Sequence, residues 1–136
     1  MQNISTRTAL ISKINENLIL IKMKDGIELG AEEESENLQA GTKLANNKKH
    51  LVLVDGRCDL TIDDEGRRFM AGAETAKYRI AVAVIANNIA VQLLINFLVK
   101  FHKPLTPTAL FSSERDALVW LKTFESDLVL SEEERK

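Results

Sequence analysis

The stretch from His50 to Met70, HLVLVDGRCDLTIDDEGRRFM, constrains this chain most. Leu51, Val52, Leu53 and Val54 are apolar at consecutive positions, and Asp55-Gly56 ends the run. A strand apolar on both sides is covered on both faces, as in a parallel sheet with helices above and below. Thr61-Ile62-Asp63-Asp64 then fits a capping box, with Thr61 as N-cap and Asp64 at the third helical position. Ile62, Gly66, Phe69, Met70 and Ala73 follow at helical spacing, and Gly66 on that inner face would let the helix approach closely. The unit is strand, turn, helix. In open α/β sheets function collects at the carboxyl ends of strands, where such turns lie.

The flanking sequence extends this pattern. Thr6 to Ile14 alternates loosely, Asn15-Glu16-Asn17 is turn chemistry, and Leu18 to Ile21 is apolar, which reads as an antiparallel hairpin. Ala31 to Ala45 reads as a helix with a thin apolar face of Ala31, Leu38 and Ala45. Glu32, Glu33, Glu34 and Glu36 in its first half suit the helix macrodipole and read as a solvated face. Gly41 weakens this helix or lets it pack closely. Asn46-Asn47-Lys48 closes it. Arg79 to Ala86 is a further buried strand, Ile89 to Phe101 an apolar helix, and Thr108 to Phe111 a short strand. Ser113-x-x-Asp116 opens a last helix with Ala117, Leu118, Leu121 and Phe124 on its stripe and Trp120 at the flank. Ser131 to Lys136 is a charged tail, expected to fray. The order β-β-α-β-α-β-α-β-α predicts an α/β fold: a mostly parallel five-stranded sheet with four helices and an opening β-hairpin.

A chain of 136 residues without an internal repeat reads as one domain, residues 1–136, with its core at about 6–124. The 18 basic and 20 acidic residues give a net charge of −2, which argues against a nucleic-acid partner. The lone Cys58 excludes an internal disulfide and suits a reducing compartment. With no signal-peptide pattern and no apolar run long enough to span a bilayer, the expected location is cytoplasmic.

Catalytic chemistry is not apparent. His50 and His102 lack partners at metal-ligand spacing, so neither a metal nor another cofactor is expected. His50 reads as structural, whereas His102, beside Lys103-Pro104, is free to touch a ligand. Arg57 beside Cys58 could lower a thiol pKa, but no histidine partner follows, and a buried, inert Cys58 is the expectation. No nucleophile elbow or phosphate-cradling glycine loop occurs.

The hairpin, the LVLVD strand, the acidic helix start and the SSERDALVWL helix together resemble the SpoIIAA-like branch of STAS domains, over about residues 6 to 124. In anti-sigma-factor antagonists of that family the helix start reads Asp-Ser-Ser-Gly, and one serine is phosphorylated by a partner kinase. Here the string is Asp63-Asp64-Glu65-Gly66. The outer residues fit, and carboxylates occupy both serine positions, so the phosphoacceptor is missing there. The resemblance implies a non-enzymatic regulatory module that binds another protein. Its contact would be the Gly56 to Arg68 surface, with Asp63, Asp64, Glu65, Arg67 and Arg68 supplying charge complementarity. SpoIIAA-like proteins also resemble CRAL-TRIO lipid-binding domains, and a lipid or small apolar ligand is the alternative.

The helix from Ile89 to Phe101, IAVQLLINFLVKF, carries one polar stripe: Asn88, Gln92, Asn96 and Lys100. Its apolar arc is about twice the ~100° that packing on a sheet needs. Burial by neighbouring helices, a homodimer contact and a lipid-facing gate are the three explanations. The predicted outward contact is Val91, Ile95 and Val99, with Leu94 and Leu98 turned inward.

Overall fold

A computed structural model describes residues 2–135, with side chains described for 2–130. The strands are β1 (Asn3–Ser5), β2 (Ala9–Asn15), β3 (Leu18–Met23), β4 (Ile27–Leu29), β5 (His50–Asp55), β6 (Leu60–Ile62), β7 (Arg79–Ile85) and β8 (Thr108–Phe111). The helices are α1 (Ala31–Leu44), α2 (Asp64–Ala71), α3 (Ala73–Ala76), α4 (Ile89–Phe97), α5 (Glu114–Lys122) and α6 (Glu125–Arg135), with a π-helical turn at Leu98–His102.

The main sheet has six strands in the order β1-β2-β3-β5-β7-β8. β3, β5, β7 and β8 are parallel, and β1-β2-β3 pair antiparallel. The opening hairpin is β2–β3. The expected five strands become six because β1 adds to the hairpin's outer edge. A second, two-stranded parallel sheet pairs β4 with β6, in the register Ile27–Leu60 and Leu29–Ile62. Three-residue strands are too short to show a period, so neither was visible in the sequence.

Register sorts the apolar strands between two cores. Ile19, Val52 and Val82 lie side by side, as do Leu18, Leu51 and Ala81. Side chains alternate along a strand, so these rows face opposite ways. Ile19, Ile21, Val52, Val82 and Val84 pack under α1, β4, β6 and α4 on the front. Leu51, Leu53, Ala81, Ala83 and Ile85 pack against Ala117, Leu121 and Leu128 of α5 and α6 on the back. Ala117 and Leu121 of the predicted α5 stripe are buried, whereas Leu118 is partly exposed at 38%. The side chains of the tail, residues 131–136, lie outside the described residues. The backbone of α6 runs helical to Arg135.

Three corrections concern helices. Among the described residues six α-helices replace the expected four, because Gly72 ends α2 and leaves Ala73 exposed in α3, and α6 follows α5. α1 buries Glu34, Asn37, Ala40, Gly41 and Leu44; of the expected stripe Ala45 is buried, while Ala31 and Leu38 are half-buried. Glu34 therefore leaves the solvated glutamate face, while Glu32, Glu33 and Glu36 gather around Arg7. α2 begins at Asp64, not after a Thr61 cap. Asp63 is the N-cap, and its Oδ1 accepts from Gly66 N–H at 2.8 Å. Thr61 is exposed within β6. Pairing of β6 with β4 holds the backbone extended through Ile62, and Asp63 N–H donates to the Leu29 carbonyl at 3.0 Å. A Cβ built on Gly66 would stand 2.6 Å from the Leu29 carbonyl oxygen, so the close approach expected of Gly66 is made, onto the small sheet.

Candidate functional site: a ridge joining α2 and α4

The predicted charged surface and the predicted apolar helix meet at one place. Asp64, in the first turn of α2, lies 3.0 Å from Arg68 and 3.7 Å from Arg67. It also lies 3.6 Å from Nε2 of His102, in the π turn after α4. Arg67 donates to the Ile62 carbonyl and sets its guanidinium 5.5 Å from the centre of the Phe97 ring. Phe97 also neighbours His102, with ring centres 5.7 Å apart. Thus Asp64, Arg67 and Arg68 do not stand apart from α4. They form the charged shoulder of its carboxyl end. Glu65 is exposed beside them, and Asp63 is engaged as the cap.

The outward face of α4 differs from the predicted one. Val91 and Ile95 are 1% and 2% exposed, which excludes them as contacts for a second copy. Val99 is exposed at the edge, as expected, and Leu98 is buried. The residues that face outward are Ile89 (74% exposed), Leu93 (65%), Phe97 (44%) and Phe101 (62%). The reason lies in the polar stripe, which does not mark solvent throughout. Asn88 is the N-cap, accepting from Ala90 N–H at 2.8 Å. Gln92 Nε2 donates to the Ala86 carbonyl at 2.9 Å. Gln92 thus ties the helix to the end of β7, Asn88 caps it, and the neighbouring row turns outward.

Positions four apart on an α-helix drift by about 40° at 100° per residue. The π turn, with its wider i→i+5 bonding, offsets part of that drift. Phe101 accordingly lies beside Phe97, with ring centres 4.7 Å apart. The outward row is continuous to the helix's end.

Val91 and Ile95 instead line an internal cavity under the front helices, together with Met70, Arg79 and Glu34. Its volume is about 30 Å³. Arg79 is buried, its Nε has no hydrogen-bond partner, and its guanidinium has no ion pair among the described residues. Burial pushes the Glu34 carboxyl up to about 7, against the pull of Arg79. His50, at the start of β5 in register with Arg79, is held down to about 4, mainly by burial. Its Nδ1 lies 2.9 Å from the Lys48 carbonyl, a structural setting as expected. Cys58 is half-buried, and its thiol is pushed up by burial and by Asp25, Asp55 and Asp59. Arg57 is occupied by Asp55, whose carboxyl it holds low, so it does not activate the thiol. Among the described residues no group of three or more acidic, histidine or cysteine side chains could hold a metal. No described helix is long and apolar enough to cross a membrane.

This sheet order, with its opening hairpin and parallel half, is a SpoIIAA-like fold. A solved structure similar to it is an uncharacterised protein of the DUF3478 family with a SpoIIAA-like fold, from Shewanella loihica PV-4. The two share 19% identity at a TM-score of 0.55, over 82% of this chain and 90% of that one. The chain belongs to the family described as Domain of unknown function (DUF7793), whose model matches residues 12–125. No curated protein matches the chain.

Proposed function

We propose that this chain is a non-enzymatic, STAS-type protein-interaction module that docks its partner on the α2–α4 ridge. The observation that carries this is the outward row Ile89, Leu93, Phe97 and Phe101. Single exposed apolar residues are ordinary, whereas a contiguous apolar row rimmed by charge marks an interaction surface. Asp64, Glu65 and Arg68 form part of that rim and set association rate and selectivity more than affinity. The groups with strongly shifted protonation, Glu34 and His50, are in the core and not on this surface.

The cavity bears on the lipid alternative. A volume of about 30 Å³ admits a water or two, and an acyl chain needs several times that. Protein docking is therefore the better-supported reading. A photo-crosslinking residue at Leu93, expressed in the native host, tests it. Adducts are expected with wild-type ridge charges and should weaken with Asp64→Lys/Glu65→Lys. Absence of any protein adduct at Leu93 would overturn the reading, and a lipid retained in native mass spectrometry would favour the alternative.

A further inference from the structure

We infer that one occupant of the ridge is a second copy of this chain, docked antiparallel along α4 about a two-fold axis. This rests on the ridge being an interaction surface, and it names the partner. The grounds are the distribution of charge at the two ends of the outward row.

At the amino end of α4, Glu28 and Asp59 line an open groove of about 410 Å³, together with Ile27, Leu60 and Ala90. Asp59 is fixed beside the helix start, accepting from Asn88 Nδ2 at 2.9 Å. At the carboxyl end stand Lys100, its ammonium 5.4 Å from the Phe101 ring centre, and Lys103. None of Glu28, Asp59, Lys100 and Lys103 has an ion pair among the described residues. At the carboxyl end Arg67, Arg68, Lys100 and Lys103 outnumber Asp64 and Glu65, so the row is apolar in the middle, acidic at one end and net basic at the other.

Such a row is complementary to itself when reversed. A two-fold axis between Leu93 and Phe97 sets Ile89 of one copy against Phe101 of the other, and Leu93 against Phe97. Each copy's Phe101 and Lys100 then reach the acidic groove of the other. The contact is isologous and closes at two copies, and the two helix dipoles run oppositely. A parallel pairing would place like charges together at both ends, so charge selects the antiparallel register. From Ile89 to Phe101 the row spans roughly 18 Å at 1.5 Å per residue, with a width of about 10 Å. That footprint falls short of the ~800 Å² per partner of a standard interface. The grooves add to it, and the dimer belongs to the weak, reversible class.

Sedimentation velocity across micromolar concentrations tests this on the full chain. Wild type is expected to dimerise reversibly at high micromolar concentration. Leu93→Glu, at a position 65% exposed and so outside the core, should remain folded by circular dichroism. It should weaken dimerisation roughly 30-fold or more, as loss of a central contact does. Lys100→Glu and Glu28→Lys should each weaken it about 3- to 10-fold, and the double reversal should restore it. A chain carrying both Ile89→Cys and Phe101→Cys should form an intermolecular disulfide, and Ile89→Cys alone should not. A monomeric wild type, a double reversal that fails to restore, or cross-linking of Ile89→Cys to itself each overturns the proposal. A monomeric wild type that sediments with anionic vesicles would also overturn it and assign the row to a membrane surface. If wild type is monomeric while Leu93 still crosslinks a different protein, the dimer falls and the interaction module stands.

Discussion

The two faces of the main sheet are built from the same strands and differ in kind. The back is sealed by side chains alone: Leu51, Leu53, Ala81, Ala83 and Ile85 against Ala117, Leu121 and Leu128. Trp120 completes it, 5.6 Å from Phe111 and 4.8 Å from Phe124 between ring centres. The front is layered. A second small sheet, four helical segments and a cavity lie over it, and the buried Glu34 and Arg79 face that cavity. Small alanines of β7 point to the back and let α5 lie close, while valines of the same strand fill the front. The comparison separates two uses of burial. The back spends its apolar area on stability, and the front also buries polar groups around a cavity.

Ile95 offers the harshest way to break the front. Ile95→Lys would bury a second cation near the unpaired Arg79, and buried unpaired charges are among the few changes costing more than about 4 kcal/mol. Loss of a cooperative urea transition is expected. Leu93→Lys, one row outward on the same helix, should change stability by no more than about 0.5 kcal/mol. Equal effects at the two positions would refute the assigned orientation of α4. Deleting bulk from the back is milder than burying a charge at the front. Leu121→Ala should cost about 2–5 kcal/mol in the same assay.

A smaller effect around the front's buried polar groups is read by pH. The Glu34 carboxyl rises from 4.5 to about 7 on folding, so its contribution is fully present below 4.5 and lost as pH rises through about 7. His50 falls from 6.5 to about 4, so its contribution is present above 6.5 and lost as pH falls through about 4. Each shift corresponds to about 3 kcal/mol, and the two oppose each other between about 4.5 and 6.5. Wild-type stability should be nearly flat across that interval. Glu34→Gln should gain up to about 3 kcal/mol above pH 7 and expose a loss towards acid. Urea titrations of both proteins at a series of pH values provide the check, and parallel curves would count against it. The smallest effect lies at the front's rim. Asp63→Ala should cost about 0.5–2 kcal/mol as the loss of a cap, and Thr61→Ala within about 0.5 kcal/mol. Thermal melts that reverse this order would restore Thr61 as the cap.

Much of the fold was legible because its longer elements carry strong patterns. The apolar runs of β5 and β7, the Asn-Glu-Asn turn of the hairpin and the Ser113 cap, which accepts from Asp116 N–H at 3.2 Å, all stand where the residues place them. Asn46 and Asn47 close α1 as expected, and do so in left-handed backbone. The misses share a cause. Thr61-x-x-Asp64 and Asp63-x-x-Gly66 are competing starts for one helix, and only the distant β4 chooses between them. The burial of Glu34 follows from helix phase, since 34, 37, 41 and 44 share a face, but four neighbouring glutamates hide which one turns inward. On α4 the polar residues were legible as a stripe, while their bonds to Ala86 and Ala90 were not. The ridge residues Leu93 and Phe97 therefore emerged only with the helix's rotation.

The edges of the sheet carry a consequence for how this protein meets other chains. The outermost strands are β1 and β8, of three and four residues. A strand so short offers few free backbone groups, and brief edge strands are one way proteins discourage the addition of foreign strands. Partner choice is thereby left to side chains, whose shape and charge change with single substitutions, and not to backbone hydrogen bonding, which any extended peptide could supply.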